Sequence, residues 1–372
     1  MKKTLLATAI AGAMAASGAQ AATVYNQDGT KLDIYGNIQL AYTDIDNADG
    51  ESEDGIGDNG TTFGFAAEHV IYDGLTGYLK LEFDDIKADE MATDIDNDDA
   101  GDTAYIGLKG NFGDVRLGSY DQLIDDWIQD PLTNNEYFDA SDSTGLHGNG
   151  ADQQTDKVTY TSPSFGGLQF AVGTQYKGDT DSFDSRADQG SSNASFFGGA
   201  KYTVGAFSIA AVYDNLDNVV YRDADGNVDS VGDQYGITAQ YTIDTLRLAV
   251  KAERFVSDAD SDADAAAVEA GNVPGAFYEE DTNFYGVSAR YGYGMGDVYA
   301  AYQYVDVGAS DFADEVEQSV EDEQDRDETY NEVILGATYN ISDAMYTWAE
   351  VAMYDREDDE GDGFGVGVTY LF

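Results

Sequence analysis

Polar and apolar residues alternate along most of this chain with a period of two, the signature of a sheet whose two faces meet different surroundings. Over 246–253, Leu246, Leu248, Val250 and Ala252 fall on one face and Arg247, Ala249, Lys251 and Glu253 on the other. Leu79, Leu81 and Phe83 alternate with Tyr78, Lys80, Glu82 and Asp84; Leu32, Ile34, Ile38, Leu40 and Tyr42 alternate with Asp33, Asn37 and Gln39. At the far end Phe364, Val366, Val368, Tyr370 and Phe372 oppose glycines and Thr369. The pattern predicts sixteen strands, at 32–42, 61–70, 77–84, 103–109, 115–119, 156–161, 168–176, 195–204, 206–214, 234–241, 246–256, 283–291, 297–306, 328–340, 344–355 and 363–372. One is ambiguous: over 344–355, Tyr346 and Trp348 share a register with Glu350, so its facing stays open.

The connections between these strands alternate in length. Seven are short and rich in turn residues, such as Tyr72-Asp73-Gly74 and Ile341-Ser342-Asp343. The other eight are mostly long and acidic. The stretch Asp44 to Gly60 holds seven acids and no base, and Asp306 to Glu328 holds eleven acids against Arg326. Sixteen strands with segregated short and long loops fit a closed antiparallel barrel with both termini on the short-turn side. Membrane-spanning barrels have even strand numbers and this loop asymmetry, and closure removes the sheet edges. A soluble β-sandwich would also alternate, but it has no reason to sort its loops by length. No apolar stretch approaches the roughly 20 residues of a membrane helix.

The first residues are an export label. Lys2 and Lys3 precede an apolar run from Leu5 to Ala16, and Ala19-Gln20-Ala21 forms a cleavage pattern. The expected division is therefore a signal peptide at 1–21 and a transmembrane barrel domain at 22–372. The full chain of 372 residues carries a formal charge of −54, and loss of Lys2 and Lys3 leaves 16 bases against 72 acids, or −56. So negative a surface repels phosphate, so nucleic acid is not an expected partner. The chain has no Cys, which removes disulfides and thiolate metal sites. Its 27 Tyr and 17 Phe are too many for a disordered acidic polymer. They suit interfacial girdles, while the acids avoid the apolar stripe, where a buried charge is costly.

Several stretches then carry a resemblance. Val24-Tyr25-Asn26-Gln27-Asp28-Gly29-Thr30-Lys31-Leu32-Asp33-Ile34-Tyr35-Gly36, Ala104-Tyr105-Ile106-Gly107-Leu108-Lys109-Gly110, Phe112-Gly113-Asp114-Val115-Arg116-Leu117-Gly118 and Tyr160-Thr161-Ser162-Pro163-Ser164-Phe165-Gly166-Gly167 are similar to segments of the trimeric, sixteen-stranded general porins of Gram-negative bacteria. Tyr370-Leu371-Phe372 resembles that family's assembly signal, which ends on Phe372. The resemblance covers the mature chain. It implies a third long loop folded into the lumen, here about 120–155, carrying Asp121, Asp125, Asp126, Asp130, Glu136, Asp139, Asp142 and Asp152 with no base. Trp127, Pro131, Tyr137 and Phe138 would hold it compact against the wall.

The family usually sets a cluster of bases opposite this loop, and the chain departs from that pattern. Thr62, Asp102 and Asp152-Gln153 stand where arginines are common, while Lys80, Glu82, Lys109 and Arg116 keep the lumen register. The expected function is thus a water-filled, cation-preferring channel for ions and small hydrophilic solutes, because rings of Asp and Glu favour cations. The resemblance further implies a homotrimer in outer-membrane lipid, exported past periplasmic chaperones and inserted by the barrel-assembly machinery. A plugged structural or adhesive barrel and a sugar channel are the alternatives; no aromatic slide for sugars can be placed. Enzymatic function is not expected: His147 lies near Ser141 and Ser143, but no Gly-x-Ser-x-Gly elbow accompanies them. His69, beside Glu68, reads as an interfacial residue. No cofactor is expected, and Asp94–Asp99 and Asp223–Asn227 miss the EF-hand glycine and glutamate, leaving only weak divalent binding by acidic loops.

Overall fold

A computed structural model describes residues 21–47, 50–84, 86–90, 92–93, 103–133, 135–144, 155–176, 194–218, 220–222, 228–230, 232–257, 281–307, 329–356 and 359–372. The signal segment through residue 20, Asp102, His147, Asp152, Gln153 and the acidic stretches 94–99 and 223–227 lie outside them.

The main sheet takes in Ala22–Gln27, Thr30–Asp46, Ser52–Asp58, Phe63–Tyr72, Leu75–Phe83, Thr103–Gly110, Gly113–Ser119, Lys157–Thr161, Leu168–Tyr176, Ala194–Val204, Phe207–Asn215, Gly232–Ile243, Leu246–Ser257, Thr282–Gly292, Asp297–Val307, Thr329–Ser342, Met345–Tyr354 and Gly363–Leu371. Neighbours pair antiparallel throughout, and the ring closes where Thr30–Asp46 meets Gly363–Leu371. These segments fill sixteen positions. On one side of Thr30–Asp46, Ala22–Gln27 pairs with its lower half and Gly363–Leu371 with its upper half. On the other side Phe63–Tyr72 and Ser52–Asp58 share the same task. Phe372 seals the joint: Gly36 N–H donates to its carbonyl at 3.1 Å, and its own N–H donates to Gly36 O at 3.0 Å.

The barrel departs from the sequence pattern in two places. Asp44 to Gly60 is no open acidic loop, because the strand runs on to Asp46 and Ser52–Asp58 pairs back against it. The carboxylates there sit on a hairpin rim, where water hydrates them at no cost to pairing. The opening segment is likewise a hairpin, turning at Asp28 and Gly29 with φ of 51° and 76°. Asp-Gly is the pair that tolerates two such left-handed residues, and the twist of that turn matches the strands.

The alternation assigns the faces. Outward residues such as Ile106, Leu117, Val172 and Val250 are about half exposed, as a lipid-facing stripe requires. Inward positions mix polar and charged side chains with small residues such as Ala249 and Gly367. The ambiguous segment resolves: Tyr346, Trp348 and Glu350 all face the lumen, and Trp348 is buried on the glycines of the next strand. A Cβ at Gly367 would lie 2.3 Å from Trp348 Cε2, and one at Gly336 would lie 2.2 Å from Tyr299 Cζ. Glycine in this wall lets a ring lie flat against the backbone. Among the described residues no helix is long and apolar enough to cross a membrane.

Candidate functional site: the third loop and its wall

The loop after Ser119 turns into the barrel. Tyr120, Leu123, Ile124, Trp127, Ile128 and Leu132 are buried, while Asp121, Asp125, Asp126 and Asp130 are only half-buried. The spacing makes the short helical run Asp125–Gln129 and Asp130–Thr133 amphipathic: one stripe meets the wall and the other carries carboxylates. Leu123, Ile124, Trp127 and Ile128 pack with Ala171, Phe197, Ala210 and Val212. Further on, Leu132, Phe138 and Ala140 pack with Ala301, Ile334, Ala352 and Tyr354.

Glycines in three strands provide seats for this apolar stripe. Trp127 lies against Gly199, Ile128 against Gly236 and Leu132 against Gly286. A Cβ at Gly236 would stand 2.6 Å from Ile128 Cγ2, and one at Gly286 would stand 2.7 Å from Leu132 Cδ1. Backbone carbonyls are met as well: Thr238 Oγ1 donates to Ile128 O at 2.7 Å and Ser288 Oγ to Pro131 O at 3.2 Å.

Three carboxylates of the wall hold the loop, and the sequence reading did not single them out. Glu350 accepts the backbone N–H groups of Glu136, Tyr137 and Phe138 at 2.7, 2.7 and 2.9 Å. Glu332 accepts Ser141 N–H at 2.8 Å and Ser141 Oγ at 2.6 Å. Glu253 accepts Gln129 Nε2 at 2.6 Å and Ser143 N–H at 3.0 Å. The loop therefore runs outward along the wall from Trp127 to Glu136 and returns past Ser141 and Ser143. At its far point Asn59, in the break between Ser52–Asp58 and Phe63–Tyr72, donates to Glu136 O at 3.0 Å. The signal available was a carboxylate in lumen register inside an otherwise apolar strand, which demands partners.

The expected loop acids thus share one element. Asp121, Asp125, Asp126 and Asp130 line its lumen side, Glu136 sits at the far point, Asp139 is exposed, and Asp142 accepts Thr144 Oγ1 at 2.7 Å. Burial, and then the neighbouring acids, push the Asp125 carboxyl up to about 9. The same causes push Asp126 up to about 7, with Arg116 and Lys201 acting against the rise.

Lys80, Glu82, Lys109 and Arg116 all face the lumen. Lys80 pairs with Glu82 at 3.2 Å and lies over the Tyr35 ring. Lys109 stands at the short-turn mouth, paired with Glu68 and over Tyr78. Arg116 is sandwiched between Tyr105 and Tyr120, at 4.6 and 4.9 Å from their centroids. Other inward bases repeat the arrangement: Lys201 lies over Trp127, Lys251 pairs with Glu253 at 2.9 Å, and Arg356 pairs with Glu332 at 2.7 Å. Inward tyrosines are therefore common, and many carry a base on their face. Their facing was hidden in sequence because tyrosine occupies both registers.

A barrel wall with an ordered loop drawn across its interior is the construction of a channel, and comparison with known proteins agrees. A family model described as a Gram-negative porin matches residues 6–359. A monosaccharide porin of a Halomonas species and the major outer membrane protein of Halomonas elongata are each 60% identical over 388 aligned residues, spanning 100% of both chains. OmpF of Salmonella typhi, solved with daunomycin, superposes with TM-score 0.65 at 20% identity over 94% of this chain and 100% of its own. The anion-selective porin of Comamonas acidovorans gives TM-score 0.64 at 17% identity over 92% and 100%. The chain belongs to the Gram-negative porin family and forms a β-barrel channel of the outer membrane.

Proposed function

We propose that this porin is a water-filled, cation-preferring diffusion channel for ions and small hydrophilic solutes, working as a homotrimer. One observation carries the preference. The lumen side of the loop carries Asp121, Asp125, Asp126 and Asp130, and four of the inward bases, Lys80, Lys109, Lys251 and Arg356, are each paired with a wall carboxylate, while Arg116, Lys201 and Arg247 offset part of the loop's charge. A paired base contributes little field at a distance, and low-dielectric walls focus what the acids leave unbalanced. The reversal potential of a planar bilayer holding the channel under a KCl gradient tests this. A potential of the sign that marks cation flow is expected; an anion preference sinks the reading.

A second reading has its own support. A relative 60% identical is named a monosaccharide porin, and Tyr78, Tyr105 and Tyr120 form an edge-to-face ladder on the lumen wall, with centroids 6.0 and 5.6 Å apart. Lys109 over Tyr78 and Arg116 between Tyr105 and Tyr120 set charged donors against these rings, an aromatic and polar pairing that suits a hydroxylated ring. Saturable reduction of KCl conductance by glucose supports a sugar station; strictly linear sugar flux in liposome swelling rejects it.

A further inference from the structure

Arg247 and Arg290 are direct register partners on Leu246–Ser257 and Thr282–Gly292. Both point into the lumen, since their sequence neighbours Leu248 and Tyr291 are exposed on the outer face. Like charges directly opposite one another across a strand pair are destabilising, so this placement needs a compensating partner. Arg290 has part of one: its guanidinium lies 4.2 Å over the Tyr299 ring and 3.7 Å from Glu136 Oε1. Among the described residues Arg247 makes no ion pair and no side-chain hydrogen bond, and it is only half-buried. Asp130 and Asp297 favour its charge from beyond ion-pair distance, and Arg290 opposes it. Glu350 touches this row through the Tyr299 hydroxyl.

The surroundings define what could sit there. Thr242 flanks Arg247 on one side in the same register, and Tyr299 flanks Arg290 on the other. A hydroxyl, two guanidinium forks and a phenol thus form one row across the wall. The row lies beside the short turn at 244–245, on the periplasmic side of the loop that Ser288 holds at Pro131. A guanidinium presents planar, paired donors that match a carboxylate or phosphate and cannot lose its charge. An acidic pore gains nothing for cation flow from an arginine pair that has one ion-pair partner between its two members, Glu136.

We propose that Arg247 and Arg290 form an oxyanion station at the periplasmic side of the constriction, which transiently holds the carboxylate or phosphate group of a small hydrophilic solute. Arg247 offsets part of the field of the loop acids, so the station stands beside a net cation preference only as long as those acids outweigh it.

The test uses the full-length channel in a planar bilayer with fixed KCl, adding inorganic phosphate or gluconate to one face at a time. Both, or either one, should reduce the current in a saturable way, more strongly from the short-turn face. Block by phosphate alone assigns a phosphate group, and block by gluconate alone a carboxylate. Arg247→Gln should raise the half-blocking concentration about tenfold, the loss of one charge-assisted bond. Arg247→Lys keeps the charge but loses the fork, and should raise it about threefold. KCl conductance near that of the natural protein shows that each variant is folded and open. Absence of block in the natural protein, or an equal half-blocking concentration in Arg247→Gln, overturns the proposal. Should Arg247→Gln give no channels, an unchanged block in Arg247→Lys does so.

Discussion

Replacing Glu350 by alanine tests how the loop is held. Glu350 projects from the strand Met345–Tyr354 into the lumen and is 4% exposed. Its two oxygens accept three consecutive loop N–H groups at 2.7–2.9 Å, and the Tyr299 phenol besides. Removing the carboxylate leaves those donors unpaired, at about 1–3 kcal/mol for each that water cannot reach. Phe138 is buried, whereas Glu136 and Tyr137 are half-buried and can recover part of the loss from lumen water. The net cost is therefore about 2–5 kcal/mol, enough to release the far point of the loop. The barrel should survive, since the backbone pairing of Glu350 with Gly336 and Gly365 does not involve its side chain. Glu332 and Glu253 keep the return arm at Ser141 and Ser143. Glu350→Ala should then show larger single-channel conductance with excess current noise. Chymotrypsin added from the long-loop side should also cleave at Tyr137 or Phe138. Glu350→Gln, which keeps one acceptor oxygen, should fall between. A quiet channel of unchanged conductance, resistant to chymotrypsin, would refute the anchoring role.

Gly286→Ala would set a methyl carbon 2.7 Å from Leu132 Cδ1, forcing the loop off its seat at about 1–3 kcal/mol; conductance should change while the β content read by circular dichroism stays the same. Lowering the pH from 9 to 6 should weaken cation preference, because Asp125 and Asp126, raised to about 9 and about 7, take up protons in that range. Stability runs the other way. These folded-state values lie above the ordinary carboxylate value of 3.8, so loop docking is most stable below about pH 4 and loses that contribution as pH rises through 7 and 9. Proteolytic protection of the loop that increases with pH would contradict this. Cation preference should also fall between about 0.01 and 1 M salt, as the Debye length shrinks from roughly 30 to 3 Å; a reversal potential reporting constant selectivity would point to size as the filter.

Much of the wall was legible because its two faces meet different solvents. Lipid on one side and lumen on the other impose strict alternation, so Leu79, Leu248 and Val366 declare the outside, and Lys80, Lys251 and Thr369 the inside. The broken strand at Ser52–Asp58 was missed because acids and glycines dominate a rim that water bathes on both faces. There the alternation carries no burial signal. The acidic loop was visible as a composition, and its amphipathic spacing at Leu123, Ile124, Trp127 and Ile128 was present in the chain. The surface that receives it was not, since Gly236, Gly286 and Glu350 are contributed by strands more than a hundred residues away.

What the sequence determined by itself is a closed, lipid-facing barrel with long acidic connections, for alternation and charge act locally and can be read residue by residue; that one of these connections enters the lumen was implied by the resemblance to general porins. What the tertiary structure alone decided is which carboxylates bear on the lumen and which are spent inside the wall. Glu253, Glu332 and Glu350 look like any other acids in the chain, yet they are consumed as acceptors for the loop backbone. Lys80 and Lys109 look like free bases, yet carboxylates two residues away and two strands over pair with them. Arg247 and Arg290 become a pair only when two strands come into register. Electrostatic roles depend on distance and desolvation, and both are set by closure of the barrel.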